Sequence, residues 1–352
     1  MLDLDRAWRR SVVDDLHKTR FTAGSDDTDW KAGDEIVTGL KLNEVGDIVT
    51  YAHNETADTA INRDSLEEVI PNTGGISRVF NPYRGLRPGA QKTHAAGPQP
   101  KLDCSVQACG FKCQEPDHPW SLLKREPLGV IASSHETWIA VANFAPIEAN
   151  GSFIIVPTRF ESRVSLPHVP QIMTRERLAD GLDAFNASIG LMWFWNSAHA
   201  GATQPGHFHY QAVVTGDRLY PLALQCVPEG GSHAYLHDYP IAGLAFPLGA
   251  AMDVEVVWSA VSRFQDADIP FNLIMLNQTS YLIPRNAEAE VTADFPYGVW
   301  GSLELAGRLI LSNAANYQSA TTEKVLANFL RIGIARERIV EVTGLASTLP
   351  PP

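Results

Sequence analysis

Short apolar runs bounded by turn residues dominate the chain from about residue 128 onward. The runs at 128–133, 138–143 and 153–157 predict strands. From Thr174 to about residue 189, Leu178, Leu182 and Phe185 recur at helical spacing behind a threonine cap, which predicts a helix. Strands follow at 191–195 and 208–214. The second half repeats this alternation. A strand is expected at 241–246. Val254, Val257, Trp258 and Val261 mark one face of a helix. The segments 271–276 and 281–284 read as a hairpin, and the tail at 321–343 reads as helical with a break near Gly333. Earlier in the chain, residues 3–20 resemble a short charged helix. Residues 71–120 are rich in Gly, Pro and Asn without periodicity and read as an irregular crossing segment, ordered or mobile.

Strands in adjacent pairs with helices between them imply an α+β fold, an antiparallel sheet with helices packed on it. Ile154-Ile155-Val156-Pro157 and Tyr281-Leu282-Ile283-Pro284 end alike, each closely followed by arginine, a faint repeat of two related halves. The expected organisation is an N-terminal extension (1–75), a first half (76–215) and a second half (216–345) packed on it.

Composition narrows the partners. The chain has 352 residues, of which 45% are hydrophobic and 19% charged, which suits a large core. Its net charge is −12 and it has no Lys/Arg-rich run, which argues against a nucleic-acid polymer as partner. A few arginines and backbone N–H groups suffice to hold a phosphate compound locally. Met1 to Trp8 lacks the apolar core of a secretory signal, and no apolar run is long enough to span a bilayer. With only four cysteines, the expected location is the cytoplasm, with no membrane partner.

The candidate chemistry lies in His207-Phe208-His209-Tyr210-Gln211. Strand alternation puts His207, His209 and Gln211 on one face and Phe208, Tyr210 and Ala212 on the other. Alone, two histidines at this spacing suit a metal chelate, hydrogen-bonded core residues or catalysis equally. The small-residue run from Ser197 to Gly206 precedes them and suits close approach of backbone N–H groups to an anion. Asn196 ends the apolar strand before that run.

An Asn, a small-residue loop and then His-x-His-x-Gln resemble the histidine triad superfamily, in the branch where Gln replaces the third His of hydrolases. Asn143-Phe144-Ala145-Pro146-Ile147-Glu148, then Gly151 and 153–157, resemble that family's Asn–Pro–Ile strand turn ending in Pro, and His237 to Leu244 and Ile269 to Ile274 resemble two segments of the GDP-L-galactose and GDP-D-glucose phosphorylases. Phe80 to Arg84 and 109–113 resemble the entry segment of galactose-1-phosphate uridylyltransferase relatives. The similarity spans about 76–315. One departure is Gly151-Ser152, where many relatives have Gly-His.

The resemblance implies nucleotidyl transfer through a covalent nucleotidyl-histidine. His209 would be the nucleophile, and His207 a supporting or leaving-group contact. Gln211 would stabilise the phosphate, with Gln204 and the loop N–H groups as further donors. Asn196 and Ser197 would contact phosphate or hold the loop, Arg84 would clamp phosphate, and Asn143 is a ribose contact or a plain turn residue. The implied partners are a nucleoside diphosphate sugar or related nucleotide and inorganic phosphate as co-substrate, and a homodimer is left open. Alternatives on the same scaffold are a hexose-1-phosphate or dinucleoside polyphosphate nucleotidyltransferase, or a nucleotide-binding regulator without turnover. A histidine-based metal oxygenase fits least, because no carboxylate follows at ligand spacing.

Cys104, Cys109 and Cys113 cluster, with His94 and His118 nearby. Uridylyltransferase relatives hold a structural zinc here with Cys-x-x-Cys. The spacing in this chain differs, so free thiols in a loop are expected ahead of a structural zinc, which stays open as the alternative, and no cofactor is required.

Overall fold

The histidine segment sits near the middle of a nine-stranded antiparallel sheet. Its strands are β1 (Gly129–Ala132), β2 (Thr137–Ala142), β3 (Ser152–Thr158), β4 (Leu191–Asn196), β5 (Tyr210–Val214), β6 (Ala234–Tyr235), β7 (Leu244–Pro247), β8 (Phe271–Leu276) and β9 (Thr279–Pro284). They lie in the order β6-β7-β9-β8-β4-β5-β3-β2-β1. The computed structural model describes residues 67–81, 96–97, 105–107, 109–115, 121–122, 128–143, 147, 152–158, 168–188, 190–202, 204, 206–215, 218, 220–225, 231–248, 254–296 and 299–345, with the backbone of short strands between 21 and 62. The helix expected at 3–20 lies outside the described residues, as do Arg84, His94, Cys104 and His118.

Two units share one plan. In the first, β3 leads through helix α1 (Arg175–Asn186) to β4 and β5. In the second, β7 leads through helix α2 (Val254–Asp266) to β8 and β9. Each unit pairs its strands in the same pattern, and the two meet where β4 pairs antiparallel with β8. The sheet is continuous across that junction. The repeat is therefore real, but its partners differ from those expected. By position, 154–157 corresponds to Leu244–Pro247 in β7, not to 281–284 in β9. Pro157 and Pro247 both close the strand that feeds the helix.

Strand alternation sorts the side chains into layers. Phe153, Ile155, Trp193, Trp195, Phe208 and Tyr210 pack on one face with Leu178, Leu182 and Phe185 of α1 and Val257 and Phe264 of α2. Thr174 caps α1 by accepting from the Arg177 N–H. Gly181 inside α1 has a packing reason, since a Cβ there would lie 2.5 Å from the Tyr210 ring. Asp180, fully buried in α1, accepts from the backbone N–H groups of His135 and Glu136, the His135 ring and the Trp138 indole. Burial would raise its pKa, but these donors and Ser133 outweigh it and hold the carboxyl below its ordinary value.

The opposite face is covered in two parts. Met192, Phe194, Val213 and Ile274 pack against Leu303, Val325 and Phe329 from the C-terminal region. Ile154 and Val156 pack under Cys109, Phe111, Cys113 and Leu122. The irregular segment thus crosses the sheet on this face. The expected C-terminal helix is two helices, Thr322–Ile332 and Arg336–Thr343, broken at Gly333. A Cβ there would lie 2.7 Å from Ile241. A small sheet in which Ser77–Phe80 runs parallel to Arg308–Leu311 had no clear signal in the hydrophobic pattern. No helix among the described residues is long and apolar enough to cross a membrane.

Candidate functional site

The two units differ in how their last two strands are joined. Between β8 and β9 the chain turns on Asn277 and Gln278, both in the left-handed region with φ of 48° and 58°. That is the tight hairpin expected of a two-residue primed turn. Between β4 and β5 the loop 197–209 replaces it, and β9 contains no histidine. The chemistry is therefore confined to one half.

A buried network anchors this loop. Asn196 Oδ1 accepts from Asn272 Nδ2 at 2.7 Å, the Ser302 N–H at 3.2 Å and the Ser302 hydroxyl at 2.5 Å. Asn272 Nδ2 also donates to the Ala200 carbonyl at 2.7 Å. Behind it, Arg285 is 1% exposed and donates to Asn272 Oδ1 and the Trp300 carbonyl. Burial pushes its pKa down to about 10, so it keeps a positive charge beneath the loop at neutral pH. Gly201 is required by contact and conformation alike: its φ is +85° and a Cβ would lie 2.5 Å from the Trp300 carbonyl oxygen. Asn272→Ala should destabilise the fold by at least about 3 kcal/mol, because it strips partners from the Ala200 carbonyl and the buried guanidinium. A urea unfolding midpoint within error of the parent would contradict this.

His209 is 5% exposed. Its segment enters β5 two residues later than the pattern suggested, because the Phe208 and His209 N–H groups bond elsewhere. The Phe208 N–H donates to the Val169 carbonyl at 2.5 Å, and the His209 N–H to Gln171 Oε1 at 2.9 Å. The Gln171 amide also donates to the Asn196 and His209 carbonyls, tying both ends of the loop together. His209 Nδ1 lies 2.8 Å from the His207 carbonyl oxygen, which only accepts. The proton is therefore on Nδ1, and Nε2 carries the lone pair. Burial lowers the His209 pKa to about 4, so the ring is neutral at physiological pH.

The other expected site residues fall in different places. Gln211 lies on the His209 face, half-buried between Ile154 of β3 and Phe194 of β4. Gln204 lies in the loop with its amide end against Gly110. Ser197 extends the sheet ladder: its hydroxyl accepts from the Phe271 N–H at 2.8 Å and donates to the Ala198 carbonyl. Asn143 donates its backbone N–H to Ser152, whose partner on β5 is Val213. It therefore lies four rungs from His209, roughly 13 Å along the strand. Ser152 shares the His209 face, fully buried, and its hydroxyl has no hydrogen-bond partner among the described residues.

Cys109 and Cys113 carry free thiols in an irregular turn, as expected, but the turn is packed on the sheet. Cys109 and Cys113 are fully buried and meet His168 and His207, with one donor atom from each of the four residues within 4.8 Å of the others. Cys109 Sγ is 3.7 Å from His207 Nδ1, and Cys113 Sγ is 3.5 Å from His168 Nδ1. A tetrahedral zinc with bonds of about 2.0–2.3 Å has edges of roughly 3.3–3.8 Å, so this Cys2His2 set fits that ion. The His207 ring packs edge-on against Phe111 and His168, and its Nε2 is buried with no hydrogen-bond partner among the described residues. A zinc there would be structural, since four protein donors leave no open position.

Residues 230–347 match the family described as GDPGP1-like, C-terminal domain. No curated protein matches the chain by sequence. The fold is that of yeast Ap4A phosphorylase Apa2. Its complex with Ap4A superposes with a TM-score of 0.51 at 14% identity, covering 76% of this chain and 88% of that one. The same protein without that ligand gives 0.50 at 14% identity, covering 76% and 86%.

The matched segment contains Asn272, Arg285 and Ser302 but not the histidine segment. The second half thus supplies the support for a loop carried by the first. Sequence reasoning missed these three residues and Gln171. Asn272 had one readable signal, a polar residue inside the apolar run Phe271–Leu276. Gln171 had none, as it lies in an aperiodic stretch before α1. His199 was also passed over. It occupies the left-handed region at φ 61° and pairs with the buried Glu290 at 3.1 Å.

Proposed function

We propose that the chain transfers a nucleotidyl group through His209, in phosphorolysis of a GDP-sugar or a similar nucleoside diphosphate compound. The observation that carries this reading is the Nδ1–H of His209 held on the His207 carbonyl. It leaves an unprotonated Nε2 on the sheet face that also carries Gln211, next to the anchored loop. The Nε2 lone pair attacks the α-phosphorus, a P–N bond forms, and the P–O bond to the sugar phosphate breaks. An oxygen of inorganic phosphate then attacks the same phosphorus, the P–N bond breaks, and nucleoside diphosphate leaves. The Nδ1 proton stays on the ring throughout, and the His207 carbonyl offsets the charge the ring gains.

A sugar phosphate departs as a stable anion with a second pKa near 6, so the first step needs little acid assistance. The Gln211 amide suits this step, since it can donate to a phosphoryl oxygen without supplying a proton. The GDP-sugar assignment draws on the match at 230–347. A dinucleoside polyphosphate is the second reading, favoured by the likeness to a fold crystallised with Ap4A. The test is a panel of nucleoside diphosphate sugars and dinucleoside polyphosphates carrying labelled α-phosphate, each incubated with the full chain. Radiolabel bound to protein, acid-labile and base-stable, is expected from the true substrate class. Nucleotide binding without labelling from any member would mark a regulator instead.

A further inference from the structure

The turn that opens the 197–209 loop is built around His199. The Ala200 N–H donates to the Ser197 carbonyl, and His199 between them takes the left-handed region at φ 61°. Glycine or asparagine would hold that conformation at less cost. An imidazole kept there against its backbone preference points to a task for the side chain. What holds the ring comes from the second half. Its Nδ1 lies 3.1 Å from Oε2 of Glu290, whose side chain is 3% exposed, while that of His199 is 27% exposed. A carboxylate only accepts, so Nδ1 carries the shared proton and Nε2 of the neutral ring carries the lone pair. Nε2 has no hydrogen-bond partner among the described residues. Glu290 also favours the charged form of the buried Arg285, and its two partners offset the cost of burying its own charge.

His199 lies close to the reacting histidine. β4 pairs Phe194 with Gln211, and the same register sets Asn196 against His209. The Gln171 amide donates to both their carbonyls. His199 follows Asn196 by three residues, a chain reach of about 10 Å. Asn272 shortens that reach, because its amide bonds both the Asn196 side chain and the Ala200 carbonyl.

We infer that His199, held by Glu290, accepts a hydrogen bond from the P–OH group of inorganic phosphate as that phosphate attacks the nucleotidyl-histidine, and so favours it over a dianion without O–H. The inference rests on phosphorolysis through His209. The phosphate dianion has three unprotonated oxygens and one hydroxyl. One unprotonated oxygen forms the new P–O bond, the P–N bond breaks, and its electron pair returns to His209 Nε2. The hydroxyl is on an oxygen that does not react. His199 Nε2 accepts from it and takes its proton as the terminal phosphate of the product ionises, then passes that proton to solvent. Glu290 balances the imidazolium so formed. The loop N–H groups serve the other oxygens, since they donate and cannot accept.

The test isolates the second half-reaction. The full chain is labelled with GDP-glucose or Ap4A carrying a labelled α-phosphate, freed of nucleotide, and mixed with inorganic phosphate or with fluorophosphate. The latter is a dianion of like shape in which fluorine replaces the hydroxyl. In the parent, phosphate should discharge the label about 10–100-fold faster than fluorophosphate, the worth of one hydrogen bond to a charged group. His199→Gly, which suits the left-handed turn and should fold, is expected to lose most of that preference, its phosphate rate falling toward its fluorophosphate rate. Glu290→Gln, whose amide can present either end to Nδ1, should lower the preference by less. A loop that is merely disturbed slows both acceptors alike and keeps the ratio. A parent-like ratio in His199→Gly therefore overturns the inference, as does a parent that uses both acceptors equally. A parent that is not labelled, or whose label phosphate discharges no faster than buffer does, overturns the phosphorolysis reading itself and the inference with it.

Discussion

Replacing His209 with Asn is expected to abolish covalent labelling and turnover, a loss of several orders of magnitude, while the protein stays folded and still binds nucleotide. The imidazole has two jobs. Its Nδ1–H bonds the His207 carbonyl, and its Nε2 attacks. An asparagine amide can reproduce the first but has no nucleophilic nitrogen for the second. Stability should fall by only about 1–3 kcal/mol, the cost of altering one buried polar side chain. Nucleotide binding should survive, because the loop is anchored through Asn196, Asn272 and Ser302 rather than through the ring. His207 gives the control. Its Nδ1 faces Cys109, so His207→Ala should loosen the Cys109–Cys113 turn and slow labelling without removing the nucleophile. If folded His209→Asn is labelled while folded His207→Ala is not, the roles are reversed. Labelling of both would mean that neither histidine carries the nucleotide.

The parts of this arrangement that follow strand periodicity were legible in the chain. Alternation put His209 and Gln211 on one face and Phe208 and Tyr210 on the other, and the packing agrees. Helix spacing gave α1 and α2. What escaped was long-range. The Cys2His2 cluster takes two ligands from a turn, one from the stretch before α1 and one from the histidine segment. Cysteine spacing alone could not reveal that combination. Asn196 was expected to contact phosphate or hold the loop, and the partners that occupy its oxygen in the loop network, Asn272 and Ser302, are distant in sequence. The repeat was read from a shared Pro at strand ends, and that mark proved ambiguous. Only the pairing of β4 with β8 decides that 154–157 corresponds to Leu244–Pro247.

Substrate consumption should run about 10²–10⁴-fold faster with inorganic phosphate than in phosphate-free buffer, the range that general-base assistance contributes. Water attacking a nucleotidyl-histidine must lose a proton as the new P–O bond forms. The residue on the His209 face that could have taken that proton in a hydrolase is here Gln211, an amide. Inorganic phosphate needs no such help. With a second pKa near 6, it is largely dianionic above neutrality and presents an unprotonated oxygen. Its charge would ordinarily repel the bound phosphate, but the protonated Arg285 beneath the loop and the loop N–H groups favour an anion there. Gln211→His should narrow the gap from both directions, restoring a base for water and weakening amide donation to the phosphoryl group. The measurement is the rate of nucleoside monophosphate against nucleoside diphosphate formation, with and without phosphate, for parent and variant. Equal rates of consumption in the parent under both conditions would make it a hydrolase. A Gln211→His variant matching the parent in both products would remove Gln211 from contact with the reacting phosphate.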